Sequence, residues 1–129
     1  MNFTERRRFE RYHPPEGAIA TLKPDGDFGL INDISRAGAA FEFLYFSKDR
    51  CESPEIGSRK EIILFIPGKN STPVTVPCMI VRVEKKLLGS YRQSVVPKKQ
   101  CGVQFMEFGV ETAMGLSSFL GQCVIKGHC

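Results

Sequence analysis

The chain has no tryptophan, only two histidines (His13 and His128) and no Cys-x-x-Cys pair. Each shortage removes a class of chemistry. Five cysteines, Cys51, Cys78, Cys101, Cys123 and Cys129, are an odd number for a disulfide framework, and the histidine count leaves no usual zinc spacing. Cys123, His128 and Cys129 do cluster near the end, but a closed zinc site takes four ligands and no fourth stands nearby in sequence. The thiols therefore read as buried or incidental, and no metal is expected. Long hydrophobic runs are missing too. The longest, Ile62 to Ile66, is far too short to span a membrane. The amino terminus is charged and lacks an apolar h-region, so no secretory signal is read and the expected location is cytoplasmic. There is no Ser–His–acid order, no conspicuous carboxylate pair and no Gly-rich phosphate loop of the Walker or Rossmann type. His13, beside Pro14-Pro15, reads as an exposed loop residue rather than a general base. The shortages point away from an enzyme.

What is present fits one domain. With 129 residues, 42% of them hydrophobic and 25% charged, the chain can bury a core without a metal or disulfide staple. A net charge of +4 suits a small anionic ligand better than a long phosphate backbone, so no DNA partner is expected. Short alternating segments follow one another between turn signals. They are Ala18 to Leu22, Phe28 to Ile34, Ala39 to Phe43, Lys60 to Ile66, Val74 to Val83 and Gly102 to Phe105. The turn Pro24-Asp25-Gly26-Asp27 has a mechanism, since proline fixes one φ and glycine tolerates a positive one. In the fifth segment Val74, Val76, Cys78, Ile80 and Arg82 fall on one face, and Pro77 demotes its surroundings to an edge or a bulge. Residues 47–59 read as a loop, and 85–100 as the longest irregular segment, with a hairpin about Gly89. The period then changes. Val110, Ala113, Leu116, Leu120 and Cys123 or Val124 suit an amphipathic helix ending near Lys126-Gly127. Strands without βαβ alternation, closed by one helix, predict an all-β antiparallel barrel or sandwich.

Two clusters carry chemistry. The first is Glu5-Arg6-Arg7-Arg8-Phe9-Glu10-Arg11-Tyr12, in which Arg7 and Arg11 stand four apart. The flat fork of arginine donates paired hydrogen bonds to phosphate, carboxylate or the O6/N7 edge of guanine, and it stacks on rings. Alone, such a run is usually a solvated tail. The second is Asp33-x-Ser35-x-x-Gly38, which alone is an ordinary turn whose glycine takes a φ that side chains avoid. A carboxylate beside a hydroxyl on a rigid turn also suits the N1–H and N2–H₂ edge of guanine.

Together, in this order and about twenty residues apart, Arg7-x-x-x-Arg11 and Asp33-x-Ser35-x-x-Gly38 resemble the paired signature of the PilZ domain family. The Glu5-Arg6-Arg7-Arg8-Phe9 lead-in and Gly102-Val103-Gln104-Phe105 before a helix resemble that family as well. The resemblance covers essentially the whole chain. It implies a six-stranded antiparallel PilZ-type barrel with a C-terminal α-helix: a mobile arm over 1–13, a barrel over 14–108 and a helix over 109–126. It implies a receptor for the bacterial second messenger cyclic di-GMP, with no other cofactor and with a downstream protein partner. By the same resemblance Arg7 and Arg11 reach guanine edges and phosphates, and Arg6 and Arg8 add phosphate or stacking contacts. Asp33 and Ser35 take base and phosphate contacts, while Gly38 lets the ligand approach the backbone. Ala39-Ala40 departs from the bulkier residue usual there, and 85–100 is longer than usual. Two rivals stay open: an interaction module that no longer binds nucleotide, and a small barrel for single-stranded nucleic acid, which would need its Phe rings exposed on a sheet face.

Overall fold

The computed structural model describes residues 10–24, 26–45, 55–68, 72–87 and 97–125. The alternating segments become β1 (Tyr12–His13), β2 (Ile19–Lys23), β3 (Phe28–Ile34), β4 (Gly38–Tyr45), β5 (Arg59–Phe65), β6 (Val74–Leu87) and β7 (Pro97–Phe105). A helix, α1 (Val110–Leu120), and a last short strand, β8 (Val124–Ile125), follow. All pairings are antiparallel. The order β2-β5-β6-β7-β4-β3 returns from β3 to β2, which closes a six-stranded barrel. Closure leaves these strands no free edge and fixes an inside for each. Leu22, Phe41, Ile62, Val76 and Ile80 are fully buried in one core, with the Phe41 and Phe43 rings edge to face at 5.1 Å.

β3 has the span expected of it, and Gly26 before it takes φ +87°. Pro77 fits because of where its ladder ends. The β6–β7 pairing begins at Cys78↔Phe105, and beyond it the Pro77 carbonyl accepts from the Met106 N–H at 2.8 Å. The missing proline N–H thus falls past the last rung on that side. Farther along, the ladder runs through Lys85↔Lys99 and Lys86↔Lys98 to Leu87↔Pro97, so part of the expected irregular segment is hairpin. Gly89 and most of the 47–59 loop lie outside the described residues.

Three expectations need correction. Arg82 does not continue the inner face of β6. A bulge between Ile80 and Arg82 shifts the phase, so Arg82 is exposed and Val83 packs against the core. The helix is shorter than expected. It stops at Leu120, where Gly121 follows, and Val124–Ile125 instead pair with β1. Its buried face is also rotated: Ala113 is exposed, while Leu116, Phe119 and Leu120 join the core and Gly115 lies against Val74. Finally, Tyr12 and His13, expected in the arm, are built into the ladder, with Tyr12 paired to Ile34 and to Ile125.

Cys78 and Cys101 are core residues, each with no exposed surface. Burial is the main reason their thiols rise from the ordinary 9.0 to about 11 and about 12. Cys123 is raised to about 11 for the same reason, and its thiol donates to the Phe119 carbonyl at 3.4 Å. An unfolded chain releases these protons near the ordinary value, the folded chain only above it. Between those limits the unfolded state holds fewer protons, so stability falls as pH rises. The urea midpoint should therefore drop between about pH 8 and about pH 10.5. The drop should be smaller in the Cys78→Ala, Cys101→Ala double variant; an identical slope in both proteins would contradict this account.

Candidate functional site

The two charged clusters meet on the outside of the barrel. Tyr12 faces inward and packs against the core, so the alternation along β1 turns Arg11 outward beside the end of β3. There an Arg11 Nη1 donates to Asp33 Oδ2 at 3.3 Å, joining residues 22 apart in sequence. The pair is unequally exposed: the Arg11 side chain keeps 59% of its surface and Asp33 keeps 19%, with Oδ1 shut off from solvent. Asp33 owes its outward position to a bulge. Ile31 pairs with Phe41 and Asp33 with Ala40, which leaves Asn32 as the extra residue. Strict alternation would have placed Asp33 inside with Ile31.

The turn after β3 is built by Ser35. Its N–H donates to the Gly38 carbonyl at 2.9 Å, and its Oγ accepts from the Ala37 N–H at 3.0 Å. This short hydroxyl clasp holds Arg36 and Ala37 as the link between β3 and β4. Gly38 is required for a reason other than the one expected. Its φ is not positive; instead, a Cβ there would overlap the Val103 carbonyl oxygen of β7. Close strand approach, not turn geometry, selects the glycine.

Strand register then shows what surrounds Asp33. Asp33 pairs with Ala40, Ala40 with Gly102, and Gly102 with Arg82, so these four residues form one row across four strands. Directly paired residues share a face, and the neighbours of Ala40 in sequence, Ala39 and Phe41, are buried, so the row lies on the outer face. Gly38, Ala40 and Gly102 make a floor carrying nothing larger than a methyl group. Asp33 and Arg11 stand at one side and Arg82 at the other. Two rungs away, the row Glu42, Gln100 and Glu84 is acidic at both ends, whereas exposed Arg36 lies by the turn. Charge thus changes sign across the floor, and an anion would be drawn toward the turn and the arm.

Arg11, Asp33, Ser35 and Gly38 are therefore brought together. Arg6, Arg7 and Arg8 lie outside the described residues, as do His128 and Cys129. Among the described residues no group of three or more metal-binding side chains occurs. Gly102 and Arg82 had no part in the expected site. An isolated glycine inside a strand is a signal of close approach that could have flagged the first. The second depends on a bulge that leaves no mark in composition.

Comparisons with known proteins bear on most of the chain. The family model described as PilZ domain matches residues 5–122. A sequence search among curated proteins found no match. Among solved structures, the fold is similar to the PilZ domain with c-di-GMP of YcgR from Escherichia coli, at 12% identity and a TM-score of 0.65. That match covers 90% of this chain and 89% of that one. It is similar also to the K. pneumonia MrkH–c-di-GMP complex, at 17% identity and a TM-score of 0.65, over 88% of this chain and 50% of that one. At these identities the likeness is one of fold.

The site makes a contrast measurable. Exposed salt bridges contribute about 0–1 kcal/mol, so Arg11→Ala should leave the thermal midpoint nearly unchanged. Gly38→Ala forces β4 from β7 and should destabilise by about 1–3 kcal/mol. Equal melting of Gly38→Ala and the parent would remove the close-approach argument.

Proposed function

The chain belongs to the PilZ domain family, and from that premise we propose that it is a cyclic di-GMP receptor. The ligand sits on the floor beside Asp33, Ser35 and Gly38, held by the arginine arm. The observation that carries this reading is the Arg11–Asp33 bridge, which joins the two clusters at one spot on the barrel. The role is to bind and signal, not to catalyse.

The ligand has two phosphodiester charges and two flat guanines. Asp33 is suited to the N1–H and N2–H₂ donors of a guanine, and Arg11 to an O6/N7 edge or a phosphate. Arg7 takes the same kind of contact from four residues upstream, and Arg6 and Arg8 add phosphate or stacking contacts. Ser35 keeps one hydroxyl lone pair and its turn geometry for a phosphate or base contact. At Gly38 the ligand can approach the backbone closely. On binding, Arg11 exchanges a weak exposed bridge for ligand contacts, so little fold stability is given up.

Each good bidentate Arg–guanine contact is worth about 1–3 kcal/mol. Ordering the arm costs on the order of 1–2 kcal/mol per residue fixed. Affinity is the small difference of these sums, so one lost arginine removes a large part of it. The ordered arm, Arg6 to Arg11, offers a new surface for a downstream protein partner, in keeping with a cytoplasmic signalling role.

Calorimetry with cyclic di-GMP is the direct test. The parent protein should bind, and Arg7→Ala, Arg11→Ala and Asp33→Ala should each bind at least tenfold more weakly with unchanged melting. Arg11→Lys should not restore affinity, because an ammonium cannot make the fork contact. No binding by the parent would leave the interaction-module reading in its place. Steeply salt-dependent oligonucleotide binding would favour the nucleic-acid reading. For the arm, NMR relaxation at Arg6 to Arg11 should change on titration; identical relaxation with and without ligand would overturn the ordering step.

A further inference from the structure

Arg82 lies on none of the elements that carry the two sequence clusters, yet it ends the row that begins at Asp33. Two separate bulges produce this arrangement. Asn32 is the extra residue on β3 and Val81 the extra residue on β6, and each shifts one charged side chain out of the inner phase. Without them, Asp33 and Arg82 would both point into an apolar core, at a cost of several kcal/mol. Both bulges adjoin the same row.

The pose of Arg82 is equally specific. Its Cβ, Nε and Nη2 lie 3.4, 3.5 and 3.6 Å from the point a Cβ on Gly102 would occupy. The side chain therefore lies down along the sheet, with its guanidinium over Gly102 rather than extended into solvent. A larger residue at position 102 would compete for that space. Among the described residues, no carboxylate forms a salt bridge with this guanidinium. It is a cation held flat at the edge of a bare floor.

We propose that Arg82 is a ligand-contacting residue that takes the O6/N7 edge of the guanine whose N1/N2 edge is taken by Asp33. The inference rests on the cyclic di-GMP reading above and deepens it. Three inter-strand steps separate the Asp33 and Arg82 backbones, roughly 14 Å at about 4.8 Å per step. Asp33 stands at one end, and Arg82 reaches one strand inward from the other. The remaining gap, over Ala40, is of the order of one purine with a hydrogen bond at each side. A carboxylate at one rim and a planar fork at the other match the donor edge and the acceptor edge of guanine. Adenine has N7 but presents an amino donor where guanine has O6, so it cannot satisfy both arginine N–H groups.

The test is a calorimetric titration of the parent, Arg82→Ala and Arg82→Lys with cyclic di-GMP and, separately, with cyclic di-AMP. Failure of the parent to bind cyclic di-GMP would remove the underlying reading and this inference with it. If the parent binds, Arg82→Ala should lose about tenfold or more in affinity for cyclic di-GMP. The preference for cyclic di-GMP over cyclic di-AMP should shrink in the same variant. A purely structural role would weaken both ligands equally and leave that ratio unmoved, which would overturn the assignment. Affinity equal to the parent's in Arg82→Ala would overturn it as well, while the cyclic di-GMP reading stood. Arg82→Lys should remain weak; full recovery there would overturn the fork contact. Because Arg82 is exposed, the variants should melt with the parent, so lost binding is not lost fold.

Discussion

In a closed barrel every strand is bonded on both sides, and that constraint governs the rest of this molecule. A strand so held cannot turn single residues about its axis; side chains alternate in and out along its whole length. Any charge on an inner phase would then be buried without a partner, which is far more costly than a hydrogen bond is stabilising. The register can change only by inserting a residue. At Asn32 and at Val81 this chain does so, and the consequence is both structural and chemical. Inward, the insertions let Ile34 and Val83 pack against the core. Outward, they place a carboxylate and a guanidinium in one row.

The floor between those charges has its own necessity. Gly38 is excluded from carrying a side chain by the Val103 carbonyl, and Gly102 is covered by the Arg82 side chain. Ala40 completes the row with a single methyl group, where a bulkier residue would stand up from the sheet. A surface of backbone and methyl suits a flat ligand. In the proposed receptor, polar groups at its rim, rather than apolar walls, would then decide what is held. That is consistent with a fold in which the large side chains are used up inside the barrel.

These features differ in how far they can be read from sequence. β3 is legible because turn signals bracket a clean alternation, and the inner face of β6 is legible as far as Ile80. Arg82 is not, since the extra residue, Val81, is apolar and β-branched like Ile80 and Val83 and no composition marks a bulge. The helix end is misread for a different reason. Apolar residues at 123 and 124 continue the helical period, but Val124–Ile125 are claimed by a non-local partner, β1, that no local pattern announces. Gly38 is recognised as special while its reason is not: the carbonyl that excludes a Cβ comes from a strand 65 positions onward in sequence (103 − 38). Arg11, Asp33 and Ser35 can be singled out from sequence because they belong to local motifs with polar chemistry, and such motifs are visible without knowledge of the fold.

Where the arm is anchored decides what ordering it costs. A free terminal segment would have to be fixed residue by residue, at on the order of 1–2 kcal/mol each. Here Tyr12 is bonded on both sides, to Ile34 and to Ile125, and its ring packs against the core. Arg11 is therefore only one residue from a fixed point and already reaches Asp33. The conformational cost at this end of the arm is met during folding, and in the proposed receptor it would not have to be met again on binding. The short strand after α1 thus has an energetic role in the site although it touches none of the floor. By holding Tyr12 from its outer side, Val124–Ile125 keep the nearest arginine aimed at the carboxylate.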